Sequence, residues 1–154
     1  MPGHYSNTIN SHLRGKLGEI ACARWLTTNG VRVDPIFRDT SKIKDCDIIA
    51  ARDTSLRLDV KTWDQTYWDE MGRCVAANQL SKLRAKADGI LWCVSSPKLT
   101  SGVVVKLAGW SPIADIEISP RRMTGPKGRR QVDNFQVDNN KMRPLSELLA
   151  ALDR

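Results

Sequence analysis

The chain reads DCDIIAARDTSLRLDVK from residue 45 to residue 61. Two β-forming runs, 46–50 and 56–61, flank the polar residues 52–55, which is the pattern of two strands joined by a turn. A hairpin centred on Asp53 fixes which residues face each other across the two strands.

Two aspartates come to stand side by side in such a hairpin. Asp47 and Asp59 lie equally far from Asp53 along the chain, so they are directly opposite each other. Because side chains alternate along a strand, Asp47, Asp59 and Lys61 are expected to share one face. The other face is expected to carry Cys46, Ile48, Ala50, Leu56, Leu58 and Val60. A register shift of one residue would break this alignment.

Paired carboxylates beside a lysine suit a site for a hard cation. Adjacent carboxylates repel, and a cation between them relieves the repulsion. Mg²⁺ prefers oxygen ligands and keeps several waters, so Asp47, Asp59 and the backbone carbonyl of Val60 would suffice. The alternative is that both aspartates are solvent-facing strand residues and that Lys61 pairs with one of them. Aspartate is depleted in strands, which favours the site.

Asp47, followed by Asp59-Val60-Lys61, resembles the PD-(D/E)XK nuclease motif. The predicted order is a helix with Glu19, a strand, the Asp47 strand, the D-x-K strand, a helix and a strand. This order is similar to that of archaeal-type Holliday-junction resolvases and related small nucleases. The C-terminal pattern, which ends in Pro144-Leu145-Ser146-Glu147-Leu148, is similar to the tails of small phage-encoded nucleases of the superfamily. The resemblance covers about residues 11–96, with no proline before Asp47. Asp45 competes for the place of the first aspartate, but the apolar strand begins directly after Asp47.

The resemblance implies a fold, an activity and a set of roles. The fold would be α/β and restriction-endonuclease-like, with a central mixed sheet flanked by helices. The activity would be Mg²⁺-dependent hydrolysis of DNA, with Mn²⁺ able to substitute, by a homodimer acting on branched DNA in recombination or repair. Catalytic and metal-binding roles would fall on Glu19, Asp47, Asp59, Val60, Lys61 and Gln79. Glu19 could be an ordinary helix-surface glutamate, but its position upstream of the D…DxK pair favours the functional role. Gln79 is equally well read as an exposed helix residue.

Three other functions remain open on the same motif. One is a nuclease that cuts linear duplexes or acts at DNA ends. Another is a DNA-binding protein that has kept the fold and lost the activity. The third is an enzyme that acts on RNA, because charge alone does not separate the two nucleic acids.

The net charge of +7 suits a polyanionic partner such as DNA. Residues 119–131 predict a basic loop that could follow a phosphate backbone, although a solvated surface loop would look the same. The candidate DNA-binding residues are Lys16, Trp63, Arg121, Arg122, Lys127, Arg129 and Arg130. Trp63 could instead cap the core, and Lys82, Arg84 and Lys86 could be only the exposed face of a helix.

A length of 154 residues predicts one domain over 11–154, preceded by a flexible tail over 1–10. The nuclease core is expected over about 11–110, and a C-terminal helix over about 144–152. Residues 63–72 are expected to form a loop.

The chain has no apolar run long enough to span a membrane and no signal-peptide core, so no membrane partner is expected. The cysteines are scattered without a CxxC pair, which predicts buried, reduced thiols rather than a zinc site. We therefore expect a cytoplasmic protein, or a phage protein that acts in the host cytoplasm.

Overall fold

A computed structural model of the protein describes residues 2–34, 46–125, 128 and 130–154, with side chains from residue 9 onward. Asp45, Lys127 and Arg129 lie outside the described residues. The strands are β1 (Arg32–Asp34), β2 (Ile48–Ala51), β3 (Ser55–Asp64), β4 (Cys74–Ala76), β5 (Gly89–Ser95), β6 (Val105–Pro112), β7 (Arg121–Thr124) and β8 (Val132–Gln136). The helices are α1 (Pro2–Thr28), α2 (Gln65–Met71), α3 (Leu80–Lys86), α4 (Ile113–Glu117) and α5 (Leu145–Leu152), and a 3-10 turn at Ala77–Gln79 leads into α3.

A five-stranded mixed sheet with the order β1-β2-β3-β5-β6 forms the centre of the fold. Strands β3 and β5 are parallel and the other neighbours are antiparallel. A second, antiparallel sheet has the order β4-β8-β7. The expected α/β class, with a mixed central sheet flanked by helices, is therefore confirmed.

The β2–β3 hairpin has the register that the sequence predicted. Ile48 pairs with Leu58 and Ala50 with Leu56, so the hairpin is centred on Asp53. Ile48, Ala50, Leu58 and Val60 are buried in one core cluster, which also holds residues of α1 and α5 such as Leu26 and Leu148.

Cys46 is an exception to the predicted faces. It packs into a second core cluster, on the other side of the sheet, with Val75, Leu83 and Trp92. Strand β2 begins only at Ile48, so the alternation of faces does not extend back to Cys46. The cysteines themselves are all free and buried, as expected.

Three segments differ from the sequence prediction. Helix α1 begins at Pro2, so helix continues through residues 2–10, where a tail was expected. The expected loop 63–72 is the end of β3 followed by α2, which begins because the Asp64 carboxylate accepts a hydrogen bond from the Thr66 amide at 2.8 Å. Arg121 and Arg122 lie on strand β7 rather than in a loop, because β7 pairs along its length with β8.

Gly18 sets how closely α1 approaches β3. A Cβ atom at this position would lie 1.7 Å from Thr62 Oγ1, whereas a Cβ at Gly15 on the same helix would meet nothing within 4 Å. Gly18→Ala is expected to destabilise the protein by about 1–3 kcal/mol, because overpacking forces the helix and strand apart. Gly15→Ala is expected to stabilise it by up to about 1 kcal/mol, since alanine is the better helix former.

Urea denaturation of both variants would check this contrast. The double variant Gly18→Ala/Thr62→Ala is expected to recover most of the lost stability, because it removes the clashing hydroxyl. Equal stability of the Gly18→Ala and Gly15→Ala proteins would contradict the close approach.

Candidate functional site at the β2–β3 hairpin

Strand β3 carries the central part of the site. Asp59 faces away from the first core cluster and is only 4% exposed. Lys61 Nζ lies 3.3 Å from Asp59 Oδ2, and Lys86 Nζ on α3 lies 3.5 Å from Asp59 Oδ1. The Asp59 carboxylate is thus held between two ammonium groups, both of which are about one-third exposed.

Asp47 continues the hairpin register by one position beyond β2. Its amide donates to the Leu58 carbonyl at 3.1 Å, and its Oδ2 accepts a hydrogen bond from the Val60 amide at 2.8 Å. The side chain therefore replaces a backbone acceptor just before β2 begins. Burial, followed by the charge of Asp59, raises the pKa of Asp47 to about 7, although the Val60 hydrogen bond acts in the opposite direction.

Glu19 lies on α1 and influences the pair through its charge. Its charge contributes to the raised pKa of Asp47, which places it within electrostatic range of that carboxylate. Lys16 Nζ lies 3.4 Å from Glu19 Oε2, one helical turn away, so this candidate DNA-binding lysine is engaged with Glu19. The structure thus brings Asp47, Asp59 and Lys61 together, and Glu19 acts on Asp47 through its charge.

The carboxylates suit a hard cation that keeps much of its water. Within the described ranges, no cluster of three or more His, Cys, Asp or Glu side chains is arranged to hold a metal ion by itself. Mg²⁺ often binds through one or two carboxylates with several waters, and Asp47 and Asp59 provide that number. The shortage of countercharge at Asp47, seen in its raised pKa, is what a divalent cation would relieve.

Two cavities meet at Lys61. The larger, of about 980 Å³, is called here the basic groove, and its lining residues are Cys46, Ile49, Arg57, Asp59, Lys61, Val75, Gln79, Lys82, Leu83, Ala85 and Lys86. The smaller, of about 570 Å³, is called the polar recess, and its lining residues are Asn10, Ser11, Arg14, Lys61, Thr62, Trp63, Asp64, Tyr67 and Pro97.

The two cavities differ in charge. Three lysines, Lys61, Lys82 and Lys86, line the basic groove, against one lining carboxylate, Asp59. In the polar recess the oppositely charged groups of Arg14 and Asp64 lie 3.6 Å apart and form an ion pair. The groove therefore suits phosphates, while the recess is polar without a large excess of either charge.

The remaining predicted residues fall in different places. Gln79 lines the basic groove from the 3-10 turn that leads into α3, one residue before the helix on which it was expected. Trp63 lines the polar recess and also packs against the second core cluster, so both of its predicted roles have a structural counterpart. Arg121 pairs with Asp133 and stacks on Phe135 with 4.5 Å between the guanidinium carbon and the ring centroid, so part of its charge is already neutralised.

Arg122 and Arg130 lie outside both cavities as described. Arg122 donates to the Glu70 carbonyl and, at 3.0 Å, to Gln136 Oε1, which joins β7 to α2 and β8. Arg130 is exposed. Arg122 thus contributes hydrogen bonds between elements of the fold, in addition to its charge.

Lys86 is the site residue that sequence reasoning missed. It was seen only as part of an exposed helix face, yet its ammonium group contacts Asp59. Gln79, Lys82 and Lys86 recur at spacings of three and four residues, which places them on one side of the helix. That spacing, on a helix that connects two parallel strands, is the signal that could have identified them.

No helix in the described part of the chain is long and apolar enough to cross a membrane.

The site offers paired carboxylates, two ammonium groups and a basic groove, which together can bind a metal and a phosphate. Comparison of the chain with family models, curated proteins and solved structures found no match.

Proposed function

We propose that this protein is a Mg²⁺-dependent DNA endonuclease of the PD-(D/E)XK type, acting on branched DNA as a homodimer. The observation that carries the proposal is the placement of Asp47 beside Asp59, with Lys61 Nζ 3.3 Å from Asp59 Oδ2. The residues of the sequence motif, Asp47, Asp59 and Lys61, are the residues that lie together in the structure.

The topology supports the proposal. Helix α1 with Glu19 is followed by β1, β2, β3, α3 and β5, which is the order implied by the resemblance, with α2 and β4 inserted before α3. Strands β1, β2 and β3 form an antiparallel meander, and β5 returns parallel to β3. A mixed central sheet flanked by helices is what the resemblance implies.

Each residue has a chemical task in this proposal. Asp47 and Asp59 would hold Mg²⁺, which supplies a bound water of lowered pKa and offsets charge on the phosphoryl oxygens. Lys61 lies beside Asp59 and would orient the attacking water. Gln79 and the groove lysines would hold the phosphates, so catalysis would rest on positioning and electrostatics.

Labelled DNA substrates test the proposal directly. Paired, symmetric nicks in a four-way junction, dependent on Mg²⁺ and absent in EDTA, are the expected result, with little cutting of a matched linear duplex. Equal cutting of both substrates would retain the nuclease and reject the preference for branches. Binding without cutting of any substrate would favour a DNA-binding protein. Sedimentation of the protein with and without the junction would test the homodimer.

Lys86→Ala is expected to weaken DNA binding with little dependence on sequence. A lysine that neutralises one phosphate contributes close to one unit to the slope of log affinity against log salt concentration. Fluorescence anisotropy titrations at several salt concentrations, in EDTA, would measure that slope.

Lys106→Ala is the matched control for this variant. Lys106 is an exposed lysine on β6 that lines neither cavity, so its removal is expected to leave the slope unchanged. A Lys86→Ala slope equal to that of the wild type would show that Lys86 serves only to balance Asp59.

A further inference from the structure

The polar recess has a composition that differs from that of a phosphate site. Arg14 donates to Ser95 Oγ at 2.7 Å and to the Pro97 carbonyl at 3.2 Å, and it pairs with Asp64 at 3.6 Å. Its Nε and Nη2 groups are thus already engaged by the protein. What the recess offers to a ligand is mainly an aromatic ring with amide and hydroxyl groups around it.

Tyr67 supplies the aromatic surface. It lies on α2, lines the recess and is 52% exposed, which is unusual for a large aromatic side chain. An exposed aromatic ring beside a basic groove is the feature on which unpaired nucleobases stack.

Lys61 connects the recess to the site. It is a lining residue of both cavities, so a strand whose phosphates follow the basic groove would reach the recess directly beyond the scissile position. The volume of about 570 Å³ lies within the range of about 300–1,000 Å³ that is usual for pockets that hold small ligands.

We propose that the polar recess holds one unstacked nucleobase adjacent to the scissile phosphate, with Tyr67 stacking on its face. This inference rests on the proposed nuclease function and specifies its substrate. Removing a base from the stack costs a few kcal/mol in a paired duplex and least where the base is already unpaired. A recess of this kind would therefore favour DNA that is distorted or branched at the cleavage position.

Cleavage of paired substrates tests the role of Tyr67. One junction carries a normal nucleotide next to the cleaved bond, and a second carries an abasic site there. Tyr67→Ala is expected to lower the cleavage rate about 5- to 150-fold on the intact junction, the range that base–aromatic stacking supports, and to have no effect on the abasic junction. Tyr67→Phe, which keeps the ring, is expected to retain the wild-type rates.

Two further measurements separate this inference from its alternatives. The base analogue 2-aminopurine, moved along the strand in complexes with the Asp59→Asn protein, is expected to change fluorescence at one position only, and Tyr67→Ala should abolish that change. Ile118→Ala, which removes a side chain 84% exposed and outside both cavities, should alter neither readout.

Equal rate losses on the intact and abasic junctions would show a structural role for Tyr67 and overturn the inference. Absence of a position-specific fluorescence change would overturn it as well. If the wild-type protein cuts nothing, the proposed nuclease function fails, and the fluorescence measurement, which needs only binding, still decides whether the recess holds a base.

Discussion

Replacing Asp59 with asparagine is expected to lower Mg²⁺-dependent DNA cleavage on the order of 10³-fold or more, the loss typical of removing a central electrostatic group. The asparagine would keep the shape of the side chain and lose the charge that would bind Mg²⁺ in the proposed function. Lys61→Ala is expected to have a comparable effect, because Lys61 is the cation next to Asp59 that can also reach the phosphate and its attacking water.

DNA binding is expected to survive both changes. The groove lysines Lys82 and Lys86 remain in each variant, and the loss of Asp59 removes a negative charge from the phosphate path. Folding should also survive, since Lys61 and Lys86 are each about one-third exposed and can be solvated when Asp59 no longer pairs with them.

Cleavage and binding must be measured on the same preparations. Asp153→Asn and Lys106→Ala are the matched controls, because they make the same chemical changes on residues that line neither cavity, and both should cut at the wild-type rate. Undiminished cleavage by a rigorously purified Asp59→Asn protein would reject the nuclease assignment. Loss of both cleavage and binding would instead indicate a folding defect.

The hairpin could be predicted because its determinants are local. Alternating apolar residues, a polar turn and a fixed centre at Asp53 define the register, and the observed pairs Ile48–Leu58 and Ala50–Leu56 follow it. Proximity of Asp47 to Asp59, and of Lys61 to Asp59, is a direct consequence. The prediction failed at Cys46, where the strand had not yet begun and the alternation of faces no longer applied.

The rest of the site depends on contacts between distant segments. Lys86 reaches Asp59 only because α3 packs beside β3 on the way to β5, and no local pattern specifies that packing. The polar recess is assembled from α1, β3, α2 and the residue Pro97, which are far apart in sequence. The basic loop predicted over 119–131 differs from the structure for a related reason. Strand β7 forms there because it pairs with β8, and the local charge pattern does not reveal that pairing.

Asp47→Asn is expected to stabilise the metal-free protein at alkaline pH while removing its activity. In the folded protein, burial and then the charge of Asp59 raise the pKa of Asp47 to about 7, from a usual value of 3.8. The folded state therefore binds the proton more tightly than the unfolded chain. As the pH rises from about 4 to about 7, the stabilisation by this bound proton is lost and the free energy of unfolding decreases.

The size of this effect follows from the proton affinities. Each tenfold difference in proton affinity is worth about 1.4 kcal/mol, so the wild type loses at most about 4 kcal/mol across that window. The asparagine that replaces Asp47 carries no charge and can still accept the hydrogen bond from the Val60 amide. The variant is expected to equal the wild type near pH 4 and to exceed it by about 2–4 kcal/mol at pH 8, as measured by urea unfolding in EDTA.

Mg²⁺ should reverse the order of the two proteins. A cation that binds only the folded state raises stability in proportion to the logarithm of its concentration, so the wild type should gain at pH 8 and Asp47→Asn should gain little.

Asp88→Asn is the opposing control. The pKa of Asp88 is raised by burial but lowered overall by hydrogen bonds from Arg57, so its ionised form stabilises the fold above the usual pKa and its loss should destabilise the protein at neutral pH. If Asp47→Asn is no more stable than the wild type at pH 8 in EDTA, the carboxylate pair carries no electrostatic strain, and the reason for placing a metal between Asp47 and Asp59 fails with it.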